Sequence, residues 1–128
     1  MTLPITSLLA GAFALLMVPL SLQVSLRRMK APSDQAGAAP DETLRRRIRA
    51  HGNFTEYAPT ELILVALIEF GGGSQGLVGG LALAFFLSRA MHAIGMLYTS
   101  SPVLRGPAMM VQHVAFLVAG IWLIARAL

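Results

Sequence analysis

The chain of 128 residues contains no cysteine, which excludes a disulfide-stapled secreted domain and any thiolate-held zinc or iron–sulfur site. It is also poor in charge. Asp, Glu, Lys and Arg make up 12% of it, against roughly 25% in a soluble globular domain. With 55% hydrophobic residues and a mean hydropathy of +0.68, neither a water-soluble domain nor a disordered chain fits. Acids number only six, giving a net charge of +4 and a pI near 10.7. Such a balance suggests nucleic acid when the basic residues are spread over a soluble surface. Here seven of the ten lie between Arg27 and Arg49, and membrane topology accounts for them without a nucleic-acid partner.

The length suits one domain over residues 1–128, and the apolar residues come in four blocks. Pro4 to Leu26 carries no charge over 23 residues, enough to cross a hydrocarbon core of roughly 30 Å. No basic residue precedes this run, and Arg27, Arg28 and Lys30 follow it, the pattern of a transmembrane helix more than of a cleaved leader. A Pro-, Ala- and Gly-rich loop follows from Met29 to Glu42. Asp41 or Thr43 then caps a second helix that starts in LRRRIRAHGNF and runs through Leu62–Ile68. Gly71–Gly76 ends it. A third run, Leu77 to Tyr98, contains Arg89 and His92. A loop holding Arg105 leads to a fourth, Ala108 to Ala125. The expected architecture is an all-α integral membrane bundle of four helices. The positive-inside rule puts the basic loop and Arg105 in the cytosol, with both termini and the glycine turn outside.

Ionisable groups inside membrane helices are costly and persist where they face a bundle interior, a cavity or a partner. Arg46, Arg49, Asn53 and Glu56 share a stripe about 80° wide on the second helix, and Arg89, His92 and Met96 share one on the third. By the expected topology both lie at the cytosolic depth, beside Arg105. One reading is that Arg and Glu pair across helices while Asn53 supplies packing hydrogen bonds. The other follows from charge: Arg46, Arg49, Arg89 and Arg105 face only Glu56, an excess that calls for an anion such as a lipid headgroup or a small carboxylate. Glu61 is expected to point away from the stripe, and Glu69 to make a helix-terminal contact or snorkel. His113 reads as a packing histidine, and no His-x-x-x-His or Glu-x-x-His pair supports a metal. Pro59 is expected to kink the second helix. Asn53-Phe-Thr55 fits a glycosylation pattern on the wrong side of the membrane, and the glycine turn lacks the Gly-Lys-Ser/Thr ending of a phosphate loop. Its Gly72-x-x-x-Gly76 spacing fits close helix approach or a loose turn.

The segment Arg49-Ala-His51-Gly-Asn53-Phe-Thr-Glu56-Tyr57-Ala-Pro59 resembles the signature of the MAPEG superfamily, membrane-associated proteins in eicosanoid and glutathione metabolism. Arg89-x-x-His92, Arg105, the Leu26-Arg27-Arg28 exit and the chain length extend the likeness over most of the sequence, closest to small bacterial-type members. The resemblance implies a homotrimer, in a bacterial inner membrane, that binds glutathione between subunits near the cytosolic face. It implies that Arg27, Arg49, His51, Asn53, Glu56, Tyr57, Arg89 and His92 contact glutathione, and that Arg105 stabilises its thiolate for attack on a lipophilic electrophile. Glutathione offers two carboxylates to arginines and one ammonium to Glu56. The chain departs from its relatives where Met96 and Met109 replace expected pocket tyrosines, and where Gly52 and Ser25 replace arginines of one branch.

Three functions compete. The first is a glutathione-dependent membrane transferase or peroxidase. The second is a noncatalytic ligand- or lipid-binding protein of the same fold, which has no need of Arg105 beside a thiol. The third, a small drug transporter, lacks support because such proteins use an intramembrane acid in the first helix, and Pro4–Leu26 has none.

Overall fold

A computed structural model describes residues 2–30, 42–99 and 102–128. Among them are four helices: α1 Pro4–Lys30, α2 Glu42–Phe70, α3 Gln75–Tyr98 and α4 Arg105–Ala127. Of the loop expected from Met29 to Glu42, Met29 and Lys30 belong to α1 and Glu42 to α2, while residues 31–41, with the candidate cap Asp41, lie outside the described residues; Thr43, the other candidate cap, lies inside α2. Helix boundaries differ from expectation chiefly at α4. It begins at Arg105 and not Ala108, so Arg105 is a helical residue and not a loop residue.

The α1, α3 and α4 helices are each long and apolar enough to cross a membrane. The α2 helix carries Asn53, Glu56, Glu61 and Glu69 along its length and falls below that standard by composition alone. Its position compensates. It packs against α1, α3 and α4, and Glu61, the acid nearest its middle, is buried among them. The protein is thus a multi-pass membrane bundle. Adjacent helices run antiparallel. Glu69 meets Ile5 and Thr6, Phe13 packs edge-on to Phe54, and Arg47 Nη1 donates to the Gln23 carbonyl at 3.0 Å.

Core register explains the packing. On α2 the buried residues are Leu44, Ala50, Phe54, Ala58, Glu61, Val65 and Ile68, and from Ala50 onward they keep the three- and four-residue spacing of one helix face. Ala50, Phe54, Ala58, Val65 and Ile68 meet Val78, Leu81, Phe85 and Ala93 of α3 in one cluster with Phe13 and Leu20 of α1. The outer faces stay apolar: Leu15 of α1 is 78% exposed and Ile121 of α4 66%. In a bilayer those surfaces meet lipid or another subunit. The helix continues through Pro59 without a break.

The glycine turn is built, not loose. Gly72 has φ 79°, the left-handed conformation that ends a helix. Gly73 N–H donates to the Ile68 carbonyl at 2.8 Å and Gly72 N–H to the Glu69 carbonyl at 3.3 Å, the paired bonds of a Schellman ending. A Cβ on Gly73 would stand 2.5 Å from Ile68 Cγ2 and 2.9 Å from its carbonyl oxygen. Ser74 then caps α3, its side chain accepting from Leu77 N–H at 3.3 Å.

Candidate functional site

At the basic end of the bundle, α2, α3 and the start of α4 enclose a cavity of about 570 Å³, within the size range of small-molecule sites. Its polar lining is Arg49, Asn53 and Glu56 of α2, His92 of α3 and Arg105 of α4. The two stripes expected from sequence do face each other. A smaller space of about 190 Å³ shares Arg49, Met96 and Arg105 with it and extends toward Glu42 and Arg46.

Arg105 enters the cavity because α3 has a glycine opposite it. A Cβ on Gly95 would lie 2.8 Å from Arg105 Cγ and 3.2 Å from Leu104 Cβ. The Arg105 guanidinium rests against Met96, with Nη1 3.2 Å from the sulfur. Its Nε is buried and has no hydrogen-bond partner among the described residues. An unused guanidinium donor is a group that an anion could satisfy.

Arg89 lies beneath the cavity and not in its lining. Only 1% exposed, it donates from Nη1 to Asn53 Oδ1 at 2.5 Å, and Nη2 reaches Met109 Sδ at 3.9 Å. Its Cζ sits 4.9 Å from the centre of the Tyr57 ring, a cation–π distance. Tyr57 leans in turn toward Phe116 at 6.2 Å. Both residues therefore support the site from below. Arg27 and His51 are half-buried and stand outside the cavity lining.

Glu61 corrects the charge reading. It does point away from the stripe, as expected, but into the core, where it is fully buried and pairs by charge with Arg89, with Oε1 3.3 Å from Nε. Its register in the apolar stripe of α2 carries it inward, and an acid in that stripe was the available signal. Glu42 likewise takes Arg45 at 2.6 Å and Arg46 at 3.0 Å. The excess of four arginines over Glu56 therefore shrinks to Arg49 and Arg105 against Glu56. Still cationic, the cavity matches one more negative than positive group on a ligand.

Other expectations settle similarly. Tyr98, 79% exposed, lies outside the main cavity and lines a space with Gln23 and Arg47, so it does not replace the tyrosine absent at Met96. His113 is exposed, with Nδ1 2.6 Å from the Met109 carbonyl oxygen. Glu69 makes the helix-terminal contact: it accepts from Ile5 N–H, Thr6 N–H and Thr6 Oγ1 at 3.0, 2.8 and 2.6 Å. Among the described residues no cluster of His, Asp and Glu suits a metal ion.

The fold and site define a polytopic helical membrane protein with an arginine-lined cavity at its basic end. The family model described as MAPEG family matches residues 6–126, nearly the whole chain. The chain belongs to the MAPEG family. Neither a curated protein nor a solved structure matches it.

Proposed function

We propose that the protein is a glutathione-dependent membrane transferase or peroxidase acting on lipophilic electrophiles. The observation that carries this reading is the convergence of Arg49, Arg105, Asn53 and Glu56 on one cavity large enough for a tripeptide. Glutathione is itself a tripeptide with two carboxylates, one ammonium and a thiol. Arg49 and Arg105 provide the positive charge, Glu56 takes the ammonium, and Asn53 provides a directional amide. The reading also places the cavity at the cytosolic face. With Arg105 beside the sulfur, its charge favours the thiolate, and the thiol proton passes to water. The thiolate forms a carbon–sulfur bond as the leaving group departs with its electron pair. An apolar groove of about 370 Å³ lined by Phe13, Met17, Phe54 and Leu62 supports approach of a lipophilic partner from the bilayer.

A homotrimer belongs to the same proposal. Arg49 and Glu56 are exposed on the flank of a single subunit, where lipid would be a poor solvent and a neighbouring subunit a better cover. Calorimetry with glutathione on the detergent-purified protein tests the core claim. We expect saturable binding that Asn53→Ala and Glu56→Ala each weaken, with Arg105→Ala abolishing conjugation while binding persists. No binding at millimolar glutathione ends the transferase reading and assigns the arginines to a lipid headgroup or another anion.

A second reading has its own observation. Met96 and Met109, which lie against Arg105 and Arg89, supply no hydroxyl where relatives have tyrosine. A noncatalytic ligand- or lipid-binding protein fits that lining. Binding retained with no turnover toward any electrophile, in wild type and Arg105→Ala alike, favours it.

A further inference from the structure

Glu61 is fully buried in α2 and is unused by the chemistry above. An acid at that depth persists where an opposite charge faces it, and that charge is Arg89, whose Nε lies 3.3 Å from Glu61 Oε1 as an ion pair, neither Glu61 oxygen having a hydrogen-bond partner among the described residues. Every face of the Arg89 guanidinium has a neighbour. Nε also reaches Ser88 Oγ at 3.4 Å, Nη1 donates to Asn53 Oδ1, Nη2 points to Met109 Sδ, and the plane lies over Tyr57. A guanidinium only donates. Asn53 must therefore turn its carbonyl oxygen to Arg89, which leaves its NH₂ as the end free to face the cavity that it lines. An unanchored carboxamide has no such preference, since its oxygen and nitrogen are interchangeable in shape.

We propose that Glu61 is a positioning residue: it locks the Arg89 fork so that Asn53 presents amide donors, and not its oxygen, to the bound ligand. The cavity then offers three donor groups, Arg49, Arg105 and Asn53, against the acceptor Glu56. It selects a ligand whose group at Asn53 is a carboxylate or an amide carbonyl. The identity of that ligand as glutathione rests on the function proposed above; the orientation of Asn53 does not. The pair is thereby more than a neutralised charge in a bundle, because its geometry is read out at the cavity wall.

Asn53 is the chain's sole asparagine, so protein labelled with side-chain ¹⁵N-asparagine gives one NH₂ pair in a nitrogen–proton spectrum without further assignment. In the full chain in detergent, we expect an NH₂ pair displaced from the positions of a free carboxamide. Glu61→Leu should draw them to the positions of a free carboxamide, with at least tenfold weaker glutathione binding. Glu61→Gln, which keeps an acceptor for Arg89, should fall between. Because Glu61→Leu leaves a buried guanidinium uncompensated and can fail to fold, Glu61→Leu/Arg89→Leu provides the second arm. It has no buried charge and should recover thermal stability while the Asn53 resonances stay collapsed. An NH₂ pair unchanged from wild type in either folded variant overturns the proposal, as does one restored together with stability in the double variant. Absence of glutathione binding by the wild type ends the functional reading instead, and the resonances still decide the role of Glu61.

Discussion

Gly95 shows how one missing side chain admits another. Its hydrogen faces Arg105, and a methyl group there would meet Arg105 Cγ at 2.8 Å and Leu104 Cβ at 3.2 Å. The clash falls near the root of the arginine, where the chain has least freedom to yield. We expect Gly95→Ala to cost about 1–3 kcal/mol by overpacking, read as a lowered unfolding temperature in detergent. It should also weaken glutathione binding several-fold by moving the guanidinium. Gly52 lines the same cavity, and a Cβ there would meet nothing within 4 Å, so Gly52→Ala should leave binding intact. Equal effects of the two substitutions would remove the steric explanation for Gly95. Most of the cavity lining was legible in the sequence, because Arg49, Asn53, Glu56 and His92 lie on stripes that helical periodicity alone brings together. The support beneath it was not. Glu61 stands about 140° around the helix from Glu56, and its partner depends on the reach of Arg89 across the α2–α3 seam.

The elements are tied at their ends by carboxylates. Glu69, in the last turn of α2, takes the otherwise unpaired N–H groups of Ile5 and Thr6 and the Thr6 hydroxyl, so it caps the start of α1 from outside that helix. Glu69→Ala should therefore cost about 1–3 kcal/mol. Amide exchange should speed at residues 5 and 6 and not at α4; uniform loosening of the bundle would contradict a local cap. Glu42 works at the opposite end, in the first turn of α2. The hydrogen bond from Arg46, helped by the charge of Arg45, holds its carboxyl below the ordinary 4.5. A depressed folded value means that this contribution is complete above the unfolded pKa and is lost as pH falls through the folded one. Amide exchange in the first turn of α2 should accelerate below about pH 4.5, while Glu42→Gln shows no such step. An identical acid response in the variant would assign it to another group. Sequence located all four helices, since apolar run length is a strong signal. It placed the start of α4 three residues late, because Arg105, Gly106 and Pro107 read as a loop, whereas Gly106 N–H already donates to the Pro102 carbonyl and Ala108 N–H to that of Leu104.

At the scale of the whole molecule, charge asymmetry and cavity position meet at one end. Arg27, Arg28 and Lys30 end α1, Arg45 to Arg49 open α2, and the cavity with Arg49 and Arg105 lies at the same end of the bundle, between α2, α3 and the start of α4. The positive-inside rule then makes a prediction about ligand supply as well as topology: if that end faces the cytosol, the cavity opens to the compartment that holds reduced glutathione. The absence of cysteine makes the test direct. Met29→Cys marks the basic end at a side chain that is 74% exposed, and it leaves every positive charge in place. Gly76→Cys marks the other end, where a Cβ meets nothing within 4 Å. A membrane-impermeant maleimide added to intact bacterial spheroplasts should label Gly76→Cys at once, and Met29→Cys only after permeabilisation. The reverse pattern would turn the arginine cavity away from the cytosol. Its ligand would then be an anion of the outer compartment or of the outer leaflet, even though the bundle and its internal Glu61–Arg89 pair would be unchanged.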